Sequence, residues 1–197
     1  MKEKSYKLTP TVKVKVRVVF VGGVHGVGKS TCCQQASERN GLQWYTASSL
    51  INAERQSTIN ERSKEVLDPK GNQELLINGL DKLKTSGHER VILDGHFTLL
   101  RPGGEIIAVG IDVFAQLRLE IIVVFRDDPA SICKRLGERD EQVWPISIVD
   151  GHQEAEINRA YVVASFLKIP IFTLPAFDVD GLVREVGVLR SFPTFEN

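Results

Sequence analysis

Residues Val18–Thr31 read VVFVGGVHGVGKST. A run of stiff β-branched and aromatic side chains ends in four glycines, then Lys29, Ser30 and Thr31. Packing alone gives no reason to set the most flexible residues directly after the stiffest ones, whereas a ligand does. Gly23–Ser30 satisfies G-x-x-x-x-G-K-[ST], and its surroundings read as a strand before it and a helix after it. Glycines let successive backbone N–H groups turn inward around phosphate oxygens, and the helix N-terminus adds partial positive charge. The pattern therefore assigns Gly23, His25, Gly26, Val27, Gly28, Lys29, Ser30 and Thr31 to binding the phosphates of a nucleotide. Lys29 is expected to reach the β- and γ-phosphates and Ser30 to hold magnesium.

Outward from this stretch, valines alternate with Lys13, Lys15 and Arg17 and then run continuously to Val21, as in a strand over 12–21 that enters the centre of a sheet. Lys29–Asn40 reads as a helix stopped by Asn40-Gly41. Leu42–Ala47 is a strand, and Ser48 or Ser49 caps a helix over Leu50–Arg55. A helix follows over Gly71–Ser86, then strands at Arg90–His96 and Glu120–Pro129. Asp128 and Pro129 open a helix closed by Gly137. A helix over Gly151–Lys168, a fifth strand at Ile169–Leu174 and a terminal helix around Leu182–Leu189 complete the alternation. Strands alternating with helices predict an α/β fold of the P-loop NTPase type, with a mostly parallel five-stranded sheet covered on both faces.

At 197 residues the expected organisation is a tail over 1–11 and one domain over 12–197. Lys plus Arg equals Asp plus Glu at 25 each, so no basic excess favours nucleic acid. Cys32, Cys33 and Cys133 form neither a disulfide framework nor a zinc pattern, which predicts a reducing, cytoplasmic setting. The charged first residues lack the apolar stretch of a signal peptide, and no apolar run approaches the roughly 18 residues of a membrane span.

Asp94 closes the strand Val91–Leu93, where open parallel sheets place ligands, and is the candidate acid for magnesium beside Ser30. No Glu follows it, against an ATPase that activates water with a paired acid. "DPKG" (Asp68–Gly71) imitates a GTPase motif but follows no buried strand; N-K-x-D and LSGGQ are absent. Small kinases remain.

The ordered set "GVHGVGKST", "KEVLDP", "VILDGHFTLLRPGG", "KRLGERD" and "DGHQEAEINRAY" resembles the nucleoside monophosphate kinases, most closely the archaeal type of adenylate kinase, over Val16 to about Leu189. The resemblance implies transfer of the γ-phosphoryl of ATP-Mg²⁺ to a nucleoside monophosphate. It implies an acceptor segment over 46–86 with Arg55 and Arg62, an acceptor contact by His96 just beyond Asp94, and a lid over 137–146. Lys29, Asp94, Arg135, Arg139 and Arg159 would be catalytic. Arginine suits such places because its planar fork grips phosphate oxygens bidentately. His25 departs from the proline common in the family's P-loop, and the lid is short. A hydroxyl kinase, with Asp94 as base, and a slow regulatory ATPase remain alternatives. Trp44 and Tyr45 read either as core or as a border to an acceptor base.

Overall fold

The computed structural model describes residues 16–59, 69–101, 103–140 and 143–188. The element order is β1 (Arg17–Gly22), α1 (Lys29–Asn40), β2 (Gln43–Thr46), α2 (Ala47–Ile59), α3 (Pro69–Thr85), β3 (Arg90–Asp94), β4 (Thr98–Leu100), β5 (Ile106–Ala108), α4 (Ile111–Gln116), β6 (Leu119–Arg126), α5 (Pro129–Asp140), α6 (Ile146–Leu167), β7 (Ile171–Pro175) and α7 (Val179–Val188). Five strands form one parallel sheet in the order β2-β3-β1-β6-β7. The short antiparallel pair β4-β5 stands apart from it.

Side-chain alternation along the strands divides the core into two layers. Val18 and Phe20 of β1, Val91 and Leu93 of β3, and Ile122 and Val124 of β6 pack with Leu76 and Leu80 of α3, Phe114 of α4, and Ile157, Ala160 and Val163 of α6. Val19, Val21, Ile92, Ile121, Val123 and Phe125 face the other way, against Cys32, Cys33 and Ala36 of α1, Ile132 and Leu136 of α5, and Leu182 and Val186 of α7. Because both faces are covered, the central strands are apolar at nearly every position, as their sequence requires. Trp44 and Tyr45 pack on opposite layers of this core.

Several boundaries differ from the sequence expectation. The tail 1–11 and the beginning of the expected first strand lie outside the described residues, and β1 is observed from Arg17. Thr46, not Ser48 or Ser49, caps α2: its hydroxyl accepts from the Ser49 N–H at 3.0 Å. Asp128 does cap α5, accepting from the Ser131 N–H at 2.9 Å. The helix then runs through Gly137 to Asp140. Gly137 is not among the glycines in the left-handed conformation that ends a helix. Likewise α6 starts at Ile146, immediately after Pro145, and carries Gly151 in its interior. Of the expected lid 137–146, residues 137–140 end α5, 143–145 are described outside any helix, and Ile146 begins α6. The hairpin β4-β5 and α4 were not expected at all.

Candidate functional site

At the carboxyl end of β1 the chain turns through Gly23, Gly26 and Gly28, all with positive φ, into α1. None of these three positions has room for a side chain. A Cβ on Gly23 would stand 2.9 Å from the Phe125 carbonyl oxygen, one on Gly26 2.9 Å from Leu136 Cγ, and one on Gly28 2.7 Å from the Phe177 ring. Gly28 is the N-cap residue of α1, so the loop delivers the free N–H groups of the helix's first turn to whatever lies in it. Val27 is buried and anchors the loop, His25 is exposed at its tip, and Ser30 and Thr31 are exposed on the first turn.

Lys29 is buried and folded back over the loop, donating from Nζ to the carbonyls of Gly23 at 2.5 Å and Val24 at 3.1 Å. Burial pushes its ammonium below the ordinary lysine value, while Asp94 and Glu156 act to keep it charged. A cation held only by carbonyl oxygens can transfer those donors to phosphate oxygens when they arrive.

Ser30 Oγ donates to Asp94 Oδ2 at 2.7 Å. Burial raises the Asp94 carboxyl above its usual value, with Lys29 and the Ser30 hydrogen bond opposing. Two hard oxygens beside a phosphate cradle fit magnesium, which takes one or two protein oxygens and completes its shell with water and phosphate.

Behind the loop, α6 supplies three buried polar side chains, His152, Gln153 and Glu156. Gln153 exchanges two 2.9 Å hydrogen bonds with the backbone of Asp127, one in each direction. Glu156 accepts from the Gly23 N–H at 3.1 Å, the Phe97 N–H at 2.9 Å, the Thr98 N–H at 2.7 Å and the Thr98 hydroxyl at 2.6 Å. His96 Nδ1 lies 3.8 Å from Glu156 Oε1. This is no ion pair, because burial, with Lys29, His25 and His152 nearby, pushes His96 down to about 2. The His96 ring instead rests against His25, centroids 4.3 Å apart.

A cavity of about 640 Å³ opens beside the loop, between His25, the β4-β5 hairpin, the end of α5 and the start of α6. His96, Arg101, Arg139, Trp144 and His152 line it. His96 Nδ1, Trp144 Nε1 and His152 Nε2 are buried without a hydrogen-bond partner. Buried polar atoms are normally satisfied by protein or ordered water, so three without a protein partner around one cavity make it the candidate place for a polar ligand or bound water.

The expected arginines divide. Arg139 lines the cavity. Arg135 holds the P-loop from outside, donating to the Gly26 carbonyl at 2.6 Å and to Asp127 at 2.5 Å, with its guanidinium 5.2 Å from the centre of the Phe177 ring. Arg159 points both Nε and Nη2 at the Val109 carbonyl, at 3.1 and 2.6 Å, and is not brought to the phosphate loop. Arg55 bridges α2 to α3 through Asn72. Arg62 lies outside the described residues.

Sequence reasoning missed Glu156, Phe177 and Arg101. Phe177 has φ +62 and is 47% exposed, a left-handed backbone that a bulky aromatic adopts only when its surroundings enforce it. The one available signal was for Glu156: an acid at the same helical stripe as Ile157, Ala160 and Ala164 has to be paired if that stripe is core.

A family model described as an AAA domain matches residues 22–146, from the end of β1 to the start of α6. The chain belongs to that family. This AAA-domain chain is 27% identical to the adenylate kinase of Pyrococcus abyssi (strain GE5 / Orsay) over 160 residues, covering 75% of this chain and 79% of that one. Its fold matches shikimate kinase from Acinetobacter baumannii in complex with shikimate, at TM-score 0.54, 17% identity and coverage of 93% and 97% of the two chains. A sugar kinase from Janibacter sp. HTCC2649 matches at TM-score 0.52 and 18% identity, covering 88% and 93%. The fold is that of the P-loop kinases. Among the described residues no helix is long and apolar enough to cross a membrane.

Proposed function

We propose that the protein transfers the γ-phosphoryl group of ATP to the phosphate of a nucleoside monophosphate. The observation that carries this reading is the placement of Lys29, Ser30 and Asp94 at one end of the sheet, beside a cavity that Arg139 and Arg101 line. The sequence kinship to an adenylate kinase supports the acceptor class.

In this reading the loop amides and Lys29 hold the β- and γ-phosphates. Ser30 and Asp94 hold magnesium, which supplies charge neutralisation on those phosphates. The bond from the γ-phosphorus to the bridging oxygen breaks as one forms to an acceptor phosphate oxygen. The protein's contribution is to fix the two in line and balance charge, so it needs no covalent nucleophile. The flat face of Phe177, backed by Arg135 beside Gly28, suits the donor base.

A hydroxyl acceptor is the second reading. It is favoured by the commitment of Arg159 to Val109 and of Arg55 to Asn72, which leaves fewer cations for a second phosphate. The protein is incubated with ATP and magnesium and, separately, with each common nucleoside monophosphate, nucleoside and sugar, and products are separated by chromatography. A nucleoside diphosphate accompanying ADP supports the proposal. Phosphorylation of hydroxyl acceptors alone, or ADP with free phosphate whatever the acceptor, rejects it.

A further inference from the structure

Glu156 sits mid-helix in α6 and is wholly buried. Packing does not ask for a carboxylate there, since a buried acid is costly unless every lone pair finds a donor in good geometry. Here the donors come from two other segments. Oε1 accepts from Gly23, the first residue of the phosphate loop, and from Phe97; Oε2 accepts from the N–H and the hydroxyl of Thr98. Phe97 and Thr98 belong to the stretch that leaves β3 after Asp94 and becomes β4, and His96 and Thr98 on it line the cavity. The helix carrying Glu156 begins directly after Pro145, at the cavity's opposite wall. One carboxylate thus joins the cradle, the strand end bearing the magnesium acid, and the helix bordering the cavity.

We propose that Glu156 is a positioning residue for phosphoryl transfer, resting on the reading above. By fixing the Gly22–Gly23 peptide and the Phe97–Thr98 backbone to the same two oxygens, it holds the start of the loop that carries the phosphates against the chain leaving Asp94. The β1–β3 pairing begins this placement and Glu156 extends it past the strand ends.

Glutamine is nearly the same shape and cannot do this. Turned one way its amide nitrogen faces the N–H groups of Gly23 and Phe97; turned the other it faces the N–H of Thr98. Either rotamer sets donor against donor.

The test compares full-length wild type with Glu156→Gln, Thr98→Val and Thr98→Ser. It uses ATP-Mg²⁺ binding by calorimetry without acceptor, the magnesium dependence of transfer, and thermal unfolding. In folded Glu156→Gln, measured well below its unfolding midpoint, ATP-Mg²⁺ affinity and kcat are expected to fall on the order of 10- to 100-fold, from one or two buried donors left unsatisfied. The magnesium concentration for half activity should rise. Thr98→Val, which removes one donor of the four, is expected to show the same shifts at roughly 3- to 10-fold, and Thr98→Ser to restore them. A Glu156→Gln protein that is less stable but binds ATP-Mg²⁺ and turns over within twofold of wild type overturns the proposal. If Glu156→Gln does not fold, unchanged ATP-Mg²⁺ affinity in Thr98→Val overturns it. Wild type that phosphorylates no monophosphate would reject the functional reading alone, because the binding comparison stands without an acceptor.

Discussion

Ser30 Oγ and Asp94 Oδ2 are 2.7 Å apart, although 64 residues separate them in the chain. The parallel pairing of β1 with β3 places Val21 opposite Asp94, so the residue before the glycine turn and the acid end at the same level of the sheet. The sequence distance is closed by the register of two strands, and the hydroxyl on the first turn of α1 then meets the carboxylate directly.

That pair predicts a metal requirement with a particular signature. Asp94→Asn keeps the shape and the hydrogen bond to Ser30 but removes the charge that attracts a divalent cation. Activity is expected to fall at least about 100-fold, with ATP affinity in the absence of metal changed by less than about threefold. A chelator should abolish transfer and added magnesium restore it. Isothermal binding with and without magnesium checks the split; equal magnesium dependence in Asp94→Asn and wild type refutes the assignment.

Why was this much legible from residues alone, and the rest not? The phosphate loop is a local device: eight consecutive residues carry the geometry, and the apolar strand before it is uninterrupted because β1 is buried on both faces. Asp94 was legible for the same reason, as the acid ending a short apolar strand. Gly137 misled because a glycine ends a helix only where the backbone turns left-handed, and packing of α5 on the P-loop keeps it in helix. The expected start at Gly151 was late because α6 already begins at Ile146, after Pro145. Glu156 and Phe177 are functional candidates only through partners 58 or more residues away or through a backbone angle, and neither leaves a local pattern. Arg159, placed at the phosphates by resemblance, is captured by a carbonyl on the loop before α4, an element the sequence did not announce.

Stability should fall in mild acid, and His96 should be a measurable part of the reason. Burial, then the charges of Lys29, His25 and His152, hold His96 down to about 2, and burial also lowers His152. Below about pH 6.5 the unfolded chain protonates both imidazoles more readily than the folded chain does, so protons favour unfolding as pH falls from there toward the depressed values. Asp94 opposes this: its raised pKa means the folded carboxyl protonates before the unfolded one, which adds stability as pH falls through that raised value. At pH 5.5 each buried imidazole contributes at most about 1.4 kcal/mol of lost stability. Denaturant unfolding of wild type and His96→Asn at pH 7.5 and 5.5 should show a smaller drop in the variant. An identical drop in both would mean that His96 is not held neutral.

Arg135 and Arg139 lie one helical turn apart on α5 yet face different partners, and this predicts that donor and acceptor binding can be separated by mutation. Arg135 stacks on Phe177 beside Gly28, whereas Arg139 lines the cavity with His25 and His96. If the Phe177 ring supports the donor base, Phe177→Ala should raise the KM for ATP by roughly 5- to 150-fold, the range of about 1–3 kcal/mol per stacked base. The KM for the acceptor should stay within about threefold in that variant, since no new interaction with the second site is lost. Arg139→Ala should do the reverse, raising the acceptor KM by roughly 10- to 150-fold through loss of a charge-assisted hydrogen bond of about 1.5–3 kcal/mol. Arg62→Ala, which the resemblance to nucleoside monophosphate kinases would put on the acceptor, is expected to follow Arg139→Ala. A compound joining adenosine to the acceptor nucleoside through a phosphate chain fills both sites, so Phe177→Ala and Arg139→Ala should each weaken it and the double variant should lose about the product of the two factors. Steady-state kinetics with both substrates varied decides the matter. If Phe177→Ala and Arg139→Ala raise the same KM, the base platform and the cavity do not belong to different substrates, and the two-site arrangement proposed for this protein is wrong.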